Sequence, residues 1–223
     1  MKTKLKHILV ILCLSMISCE GNLEPELFDQ ITPENFLTNE DDVKTAVTGV
    51  YAEFRGISEW GRYKTSWGSV MTLQEVPTDL WAANWFYKAH TDFMWKATDY
   101  FVCEIFEFFV PAITKATALI ARIQDAPVSD DIKNRYIAEL RVVRALWMYD
   151  LFDLYGPVPA ITDPEKILNP TQDFTVTRPS REEYITFVET ELKEVINAKI
   201  LPVAWTGSDY GLSLIHISEP TRP

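Results

Sequence analysis

The stretch of this 223-residue chain best equipped for chemistry is Asp79-Leu80-Trp81-Ala82-Ala83-Asn84-Trp85. Two indoles offer flat apolar faces, and a carboxylate and an amide beside them offer hydrogen-bonding groups. That mixture suits a pyranose ring, which can stack on an aromatic face while its hydroxyls bond the neighbouring polar groups. Asp79, Trp81, Asn84 and Trp85 are therefore the candidate ligand-binding residues. Five of the 7 tryptophans, Trp60, Trp67, Trp81, Trp85 and Trp95, fall between 56 and 99, among Gly, Ser, Asn and Pro and where apolar periodicity is weak. The alternative for any one of these rings is that it packs an irregular loop against helices, the commoner use of a large aromatic side chain.

Other chemistries find little material. The 3 histidines are His7, His90 and His216, and the 3 cysteines are Cys13, Cys19 and Cys103. His7 and Cys13 lie in an N-terminal leader and His216 in an anomalous tail. His90 and Cys103 cannot build a zinc site from several His and Cys ligands, and neither HExxH nor GxSxG occurs. No catalytic residue, metal ligand or cofactor is assigned. Carboxylates are plentiful, but none stands in a recognisable catalytic setting.

The elements that must position the Trp-rich stretch are helical. The segment 137–159, IAELRVVRALWMYDLFDLYGPVP, carries Leu140, Val143, Trp147, Leu151 and Leu154 at spacings of three and four, and Val142, Ala145, Tyr149 and Phe152 on a second stripe. A helix with two apolar faces sits between neighbours. Glu139, Arg141 and Arg144 within it need pairing or hydrogen bonds, because isolated charges are costly to bury. Gly156, Pro157 and Pro159 end it.

An upstream helix places Val43, Ala46, Val47, Val50, Tyr51 and Phe54 on one face, with Thr38 or Asn39 as cap and Glu40, Asp41 and Asp42 at its positive end. Thr32-Pro33 starts a short turn before it. A second apolar helix covers 100–123, where Pro111 is expected to kink or divide it. Ser129 is the expected cap of the long helix. Residues 160–179, rich in Pro, Thr and Asp, read as a surface loop. Ser180-Arg181-Glu182-Glu183 is a capping box for a last helix that lines up Tyr184, Phe187, Val188, Leu192 and Val195.

A Glu, an Arg five residues on, then Ala, aromatics and a closing Gly-x-x-Pro resemble the SusD/RagB family of nutrient-binding outer-membrane lipoproteins. Here the signature is Glu139, Arg144-Ala145, Tyr149, Leu151 and Gly156-Pro157-Val158-Pro159. The segment TPENFLTNEDDVKTAVTGVYAEFR resembles that family's first helix, and Arg178-Pro179 through Leu201-Pro202 continue the likeness. Where the family usually shows Ala-Asn, this chain has Ala116-Thr117, which leaves the asparagine's hydrogen bond in question. The resemblance implies a mainly all-α fold, a SusD-like scaffold of tetratricopeptide-like helix pairs with long irregular loops. It implies two partners, an oligosaccharide and a SusC-like TonB-dependent transporter that the lipoprotein covers as a hinged lid. It also implies that the loop after Thr78-Asp79 lies near the ligand.

Both ends read differently from the middle. Lys2, Lys4 and Lys6 precede a short apolar run, so 1–18 reads as a signal peptide too short to span a bilayer. Ser18-Cys19 resembles a lipobox, which makes Cys19 the lipidation site and membrane anchor, and 19–30 an acidic tether. The resemblance implies that residues 31–211 are the N-terminal part of a SusD-like domain. Residues 212–223, with LSLIHISEPTR, resemble the translation of a sequencing adaptor, not native protein. Without the leader's lysines and the tail's Arg222 and Glu219, the formal net charge moves from -11 to about -14. Such a surface repels phosphate backbones, so nucleic acid is not an expected partner.

Three functions can be set against one another. The first is a cell-surface glycan-binding lipoprotein of the outer membrane that delivers nutrients to a transporter; it predicts binding without turnover. The second is a helical-repeat protein–protein adaptor that binds no sugar, separable by carbohydrate binding. The third, a glycosidase using carboxylates alone, lacks a recognisable acid pair on a site that would make it an enzyme.

Overall fold

The computed structural model describes residues 37–54, 70–81, 87–168 and 175–202, all within the compact unit that begins at Leu37. Every regular element among them is helical: α1 Glu40–Ala52, α2 Val70–Glu75, α3 Lys88–Thr91, α4 Tyr100–Asp125, α5 Asp130–Tyr155, α6 Pro164–Leu168 and α7 Arg181–Ala198. The expected signal peptide, Cys19, the tether, the turn at Thr32-Pro33 and the anomalous tail lie outside the described residues, as do Asn84 and Trp85.

α4 and α5 form the axis. Each has 26 residues, so each runs roughly 39 Å at 1.5 Å per residue. A four-residue turn joins them into an antiparallel hairpin. The antiparallel course is visible at the far end, where the Tyr155 hydroxyl near the end of α5 donates to the Val102 carbonyl near the start of α4, at 2.6 Å. α7 also packs antiparallel to α5: the Tyr184 hydroxyl donates to the Met148 carbonyl at 2.9 Å, and Glu194, ten residues on, meets Arg141. α1 runs in the same direction as α5. Glu40 meets Arg135 at its start, and the Phe54 ring lies 4.8 Å from Trp147 at its end.

The core forms where these helices meet. Leu140, Val143, Trp147 and Leu151 of α5 are buried with Ile105, Phe109, Ala112 and Ile113 of α4 and Val43, Val47 and Val50 of α1. The first apolar stripe of α5 is thus the core stripe. The second is shallower than its sequence implies: Ala145 is buried, Val142 and Phe152 are partly covered, and Tyr149 is exposed. Phe152 is covered in part by the ring of Tyr184, stacked at 5.5 Å, and by the Arg181 guanidinium, 5.1 Å from its centroid.

Local signals explain most boundaries. The Asn39 side chain accepts from the Asp42 amide at α1, and α7 carries the complete Ser180/Glu183 capping box. Ser129 occupies the cap position of α5 without a side-chain cap bond, so Asp130 and Asp131 supply the favourable charge of that first turn. Gly156 ends α5 at φ +72, ψ -160, a conformation that favours glycine.

Of the two outcomes expected at Pro111, a kink or a division, the second does not occur: α4 stays one helix through it. A proline there removes one amide donor, and the apolar face on either side, Phe109, Ala112 and Ile113, remains buried and holds the element together. The stretch after Pro159 is also more than a surface loop. Asp163 accepts from the Glu165 amide at 3.1 Å, Pro164 takes the first helical position, and α6 packs against α4.

Candidate functional site

The charged residues of α5 resolve first. At 3.6 residues per turn, Glu139 and Arg144 are separated by about 140° around the helix, so they face different neighbours. Glu139 is buried on the side of α5 that faces α1, near Tyr51; burial, with Glu139 adding to it, holds that phenol protonated well above its ordinary range. Arg135 lies 3.9 Å from Glu139 and 3.3 Å from Glu40.

Arg144 faces α4 and α7. Its guanidinium donates to the Thr117 hydroxyl at 2.9 Å and to Glu191, and it lies 5.3 Å from the centroid of Phe187. Thr117 passes the connection on, since its hydroxyl also reaches the carbonyls of Ile113 and Ile161. The position that departs from the family's asparagine thus has a hydrogen-bonding side chain. Arg141 joins the same cluster, donating to Glu191 at 3.0 Å and Glu194 at 2.5 Å. Burial works against its charge, and the bonds to these two carboxylates outweigh that and raise its pKa.

These groups are all engaged with protein, so their chemistry is to fasten α5 to α1, α4 and α7. Tyr149, Gly156 and Pro159, the rest of the signature, do not converge on them. Tyr149 is exposed, Gly156 shapes the helix end, and Pro159 opens the segment leading to α6.

The Trp-rich region behaves differently. α2 is anchored by buried Thr72 and Val76, and Gln74 on it donates to Asp153 of α5 at 2.7 Å. Thr78 then closes the turn: its amide and hydroxyl both donate to the Glu75 carbonyl, at 3.1 and 2.6 Å, and its hydroxyl accepts from the Leu80 amide at 3.3 Å. Beyond this fixed point Asp79 and Leu80 are exposed, and Trp81 is 41% exposed. A core-packing tryptophan would be buried; this one is partly open, two positions after an exposed aspartate. Asn84 and Trp85 lie outside the described residues.

A second aromatic group, which sequence reading did not single out as a site, follows at Tyr87–Phe101. His90 is buried; its ring stacks on Trp95 at 6.0 Å with an interplanar angle of 16° and meets Phe101 edge-on at 5.4 Å. Neither imidazole nitrogen has a hydrogen-bond partner among the described residues. Burial lowers its pKa, with Asp99 acting in the opposite direction, so the ring is held neutral as an aromatic filler. The signal that could have flagged this region is aromatic density alone.

A third feature is a groove of about 250 Å³ between α7 and the segment around α6, lined by Met148, Val158, Thr162, Lys166, Thr177 and Phe187 among others. No sequence pattern marks it, because it forms where residues 158–166 and 175–179 meet α5 and α7.

Among the described residues no group of three or more His, Cys, Asp or Glu is placed to hold a metal, and no helix is long and apolar enough to cross a membrane. What the arrangement offers is a rigid helical frame that displays aromatic rings from irregular segments.

This is an all-helical architecture among the described residues. Its fold is SusD-like: a SusD-like protein from Bacteroides fragilis matches at a TM-score of 0.58 and 22% identity, over 80% of this chain and 32% of that one. A laminarin-binding SusD-like protein matches at the same TM-score and identity, over 78% of this chain and 37% of that one. The chain therefore spans about a third of the length of these solved proteins. No family model and no curated protein matches the sequence.

Proposed function

We propose that this chain is the N-terminal part of a cell-surface glycan-binding lipoprotein, anchored in the outer membrane through Cys19, that delivers oligosaccharide to a SusC-like TonB-dependent transporter. The observation that carries the reading is the SusD-like fold shared with a laminarin-binding protein, together with the part-exposed Trp81 and the exposed Asp79, which follow a turn braced by Thr78. A pyranose ring stacks on the indole, and Asp79, with Asn84 and Trp85 nearby in sequence, supplies polar and further aromatic contacts. In this reading the helical frame is the part that meets the transporter. Nothing in this scheme breaks a bond, so binding occurs without turnover.

The test is affinity electrophoresis of the full-length protein through gels containing laminarin and other soluble polysaccharides. Retardation of wild type, weakened about tenfold in Trp81→Ala, supports the reading, since an aromatic stack of about 1.5 kcal/mol corresponds to roughly that factor. Equal retardation of Trp81→Ala removes Trp81 from the site, and hydrolysis of the polysaccharide refutes the binding-only role. Metabolic labelling with palmitate tests the anchor: wild type incorporates label and Cys19→Ala does not.

A further inference from the structure

The turn that ends α3 is built in an unexpected way. The Phe93 amide donates to the His90 carbonyl at 3.2 Å and the Met94 amide to the Ala89 carbonyl at 2.8 Å. These paired bonds are the Schellman termination of a helix, in which the left-handed residue is usually glycine. Here it is Phe93, at φ +55. A bulky side chain is disfavoured in that region, because its Cβ crowds the following carbonyl.

Packing among the described residues does not explain the choice. Phe93 is 68% exposed, so its ring is not there to fill a core, and Met94 beside it is 72% exposed. The left-handed backbone instead places the Phe93 ring 5.5 Å from Trp95, tilted by 43°. Trp95 is backed on one side by the His90 ring and is still 40% exposed. Strained backbone that a protein retains, carrying an exposed aromatic, is a feature of ligand clamps. The polar surroundings suit a hydroxylated ligand: Asp92 directly precedes Phe93 and pairs with Lys88 at 2.7 Å, with both side chains open to water.

We infer that Phe93 and Trp95 form a second sugar-stacking corner, held on the α3 turn by His90, that receives a pyranose ring of the bound oligosaccharide. This rests on the glycan-binding reading above and adds a stacking site outside the 79–85 stretch. Two rings set at an angle offer two facets, and an oligosaccharide can lay one sugar against the indole and lean another part of the chain on the phenyl. His90 contributes rigidity: its buried ring stacks nearly parallel to the indole and holds the indole plane.

The strain makes the proposal separable from a folding effect. In the full-length protein, Phe93→Gly relieves the left-handed conformation, so its melting temperature is expected to equal or exceed that of wild type while its retardation in polysaccharide gels falls threefold or more. Trp95→Ala is expected to weaken retardation by about fivefold to tenfold, and Trp95→Phe, which keeps a flat face, to recover part of it. Wild-type retardation in both Phe93→Gly and Trp95→Ala would overturn the proposal and assign the corner to contacts other than glycan. A fall in melting temperature in Phe93→Gly would overturn it as well, because the phenyl would then be structural. If wild type is retarded by no polysaccharide in the panel, the glycan-binding reading itself fails, an outcome distinct from retardation that these substitutions leave untouched.

Discussion

Glu191→Gln is the substitution that most directly probes how the scaffold is held together. Glu191 is 8% exposed and accepts from two arginines, Arg144, itself 5% exposed, and Arg141. Removing the carboxylate charge leaves the Arg144 guanidinium buried with only the Thr117 hydroxyl, the Phe187 ring and a neutral amide for company. Breaking a buried pair from one side costs about 3–5 kcal/mol. Glutamine keeps one acceptor and Arg141 keeps Glu194, so a loss of about 2–3 kcal/mol is expected here. For a domain of this size that lowers the melting temperature by roughly 5–10 °C. Urea titrations followed by circular dichroism supply the free energy. Glu189→Gln is the control: its pair with Lys193, at 2.6 Å, has both side chains more than half exposed and is worth about 0.5 kcal/mol or less. High salt should abolish the control's small effect and leave most of the Glu191 effect. Two substitutions of equal cost would refute the claim that this cluster fastens α5 to α7. Joint replacement by Arg144→Met and Glu191→Leu should recover most of the loss, because no charge is then stranded.

Two further predictions follow from particular residues. Asp150 on α5 is pushed up to about 6 from 3.8, chiefly by burial and then by the neighbouring Asp153. Its folded state therefore binds a proton more tightly than the unfolded chain, so its contribution is stabilising below about pH 4 and is lost as pH rises through about 6. Asp150→Asn should stabilise the protein at pH 7 by about 1–2 kcal/mol, allowing for its partial exposure, and should give no gain at pH 4; a benefit independent of pH would contradict the titration. Gly156→Ala meets no atom within 4 Å but must adopt φ +72, so the cost is conformational, about 1–2 kcal/mol by thermal unfolding. No loss there would mean that α5 can end another way.

The long helices were legible because several local signals agree on each. α1 has its acidic first turn, Asn39 and a single apolar face, and α7 has its capping box with Tyr184 and Val195 on one side. Packing depth was less readable. Val142 and Tyr149 look as apolar as Val143, and only the placement of neighbours decides that Tyr149 stays open. The partners of Arg144 were out of reach too, since Glu191 lies 47 positions away and reaches it only through the antiparallel docking of α7. The short helices α2, α3 and α6 have too few residues to show a period. At α3 the usual glycine marker is replaced by Phe93, which hid both the turn and the aromatic corner it builds. The exposure of Trp81 was a choice between two uses of an aromatic ring that composition could not make.

The measurement that bears most directly on the whole account is polysaccharide binding and turnover assayed together on one preparation of the full-length protein. Retention by at least one soluble glycan, weakened in Trp81→Ala, with no new reducing ends after prolonged incubation, is the expected result. Retention by none of the glycans, or release of reducing ends at a rate that survives repurification, would contradict it.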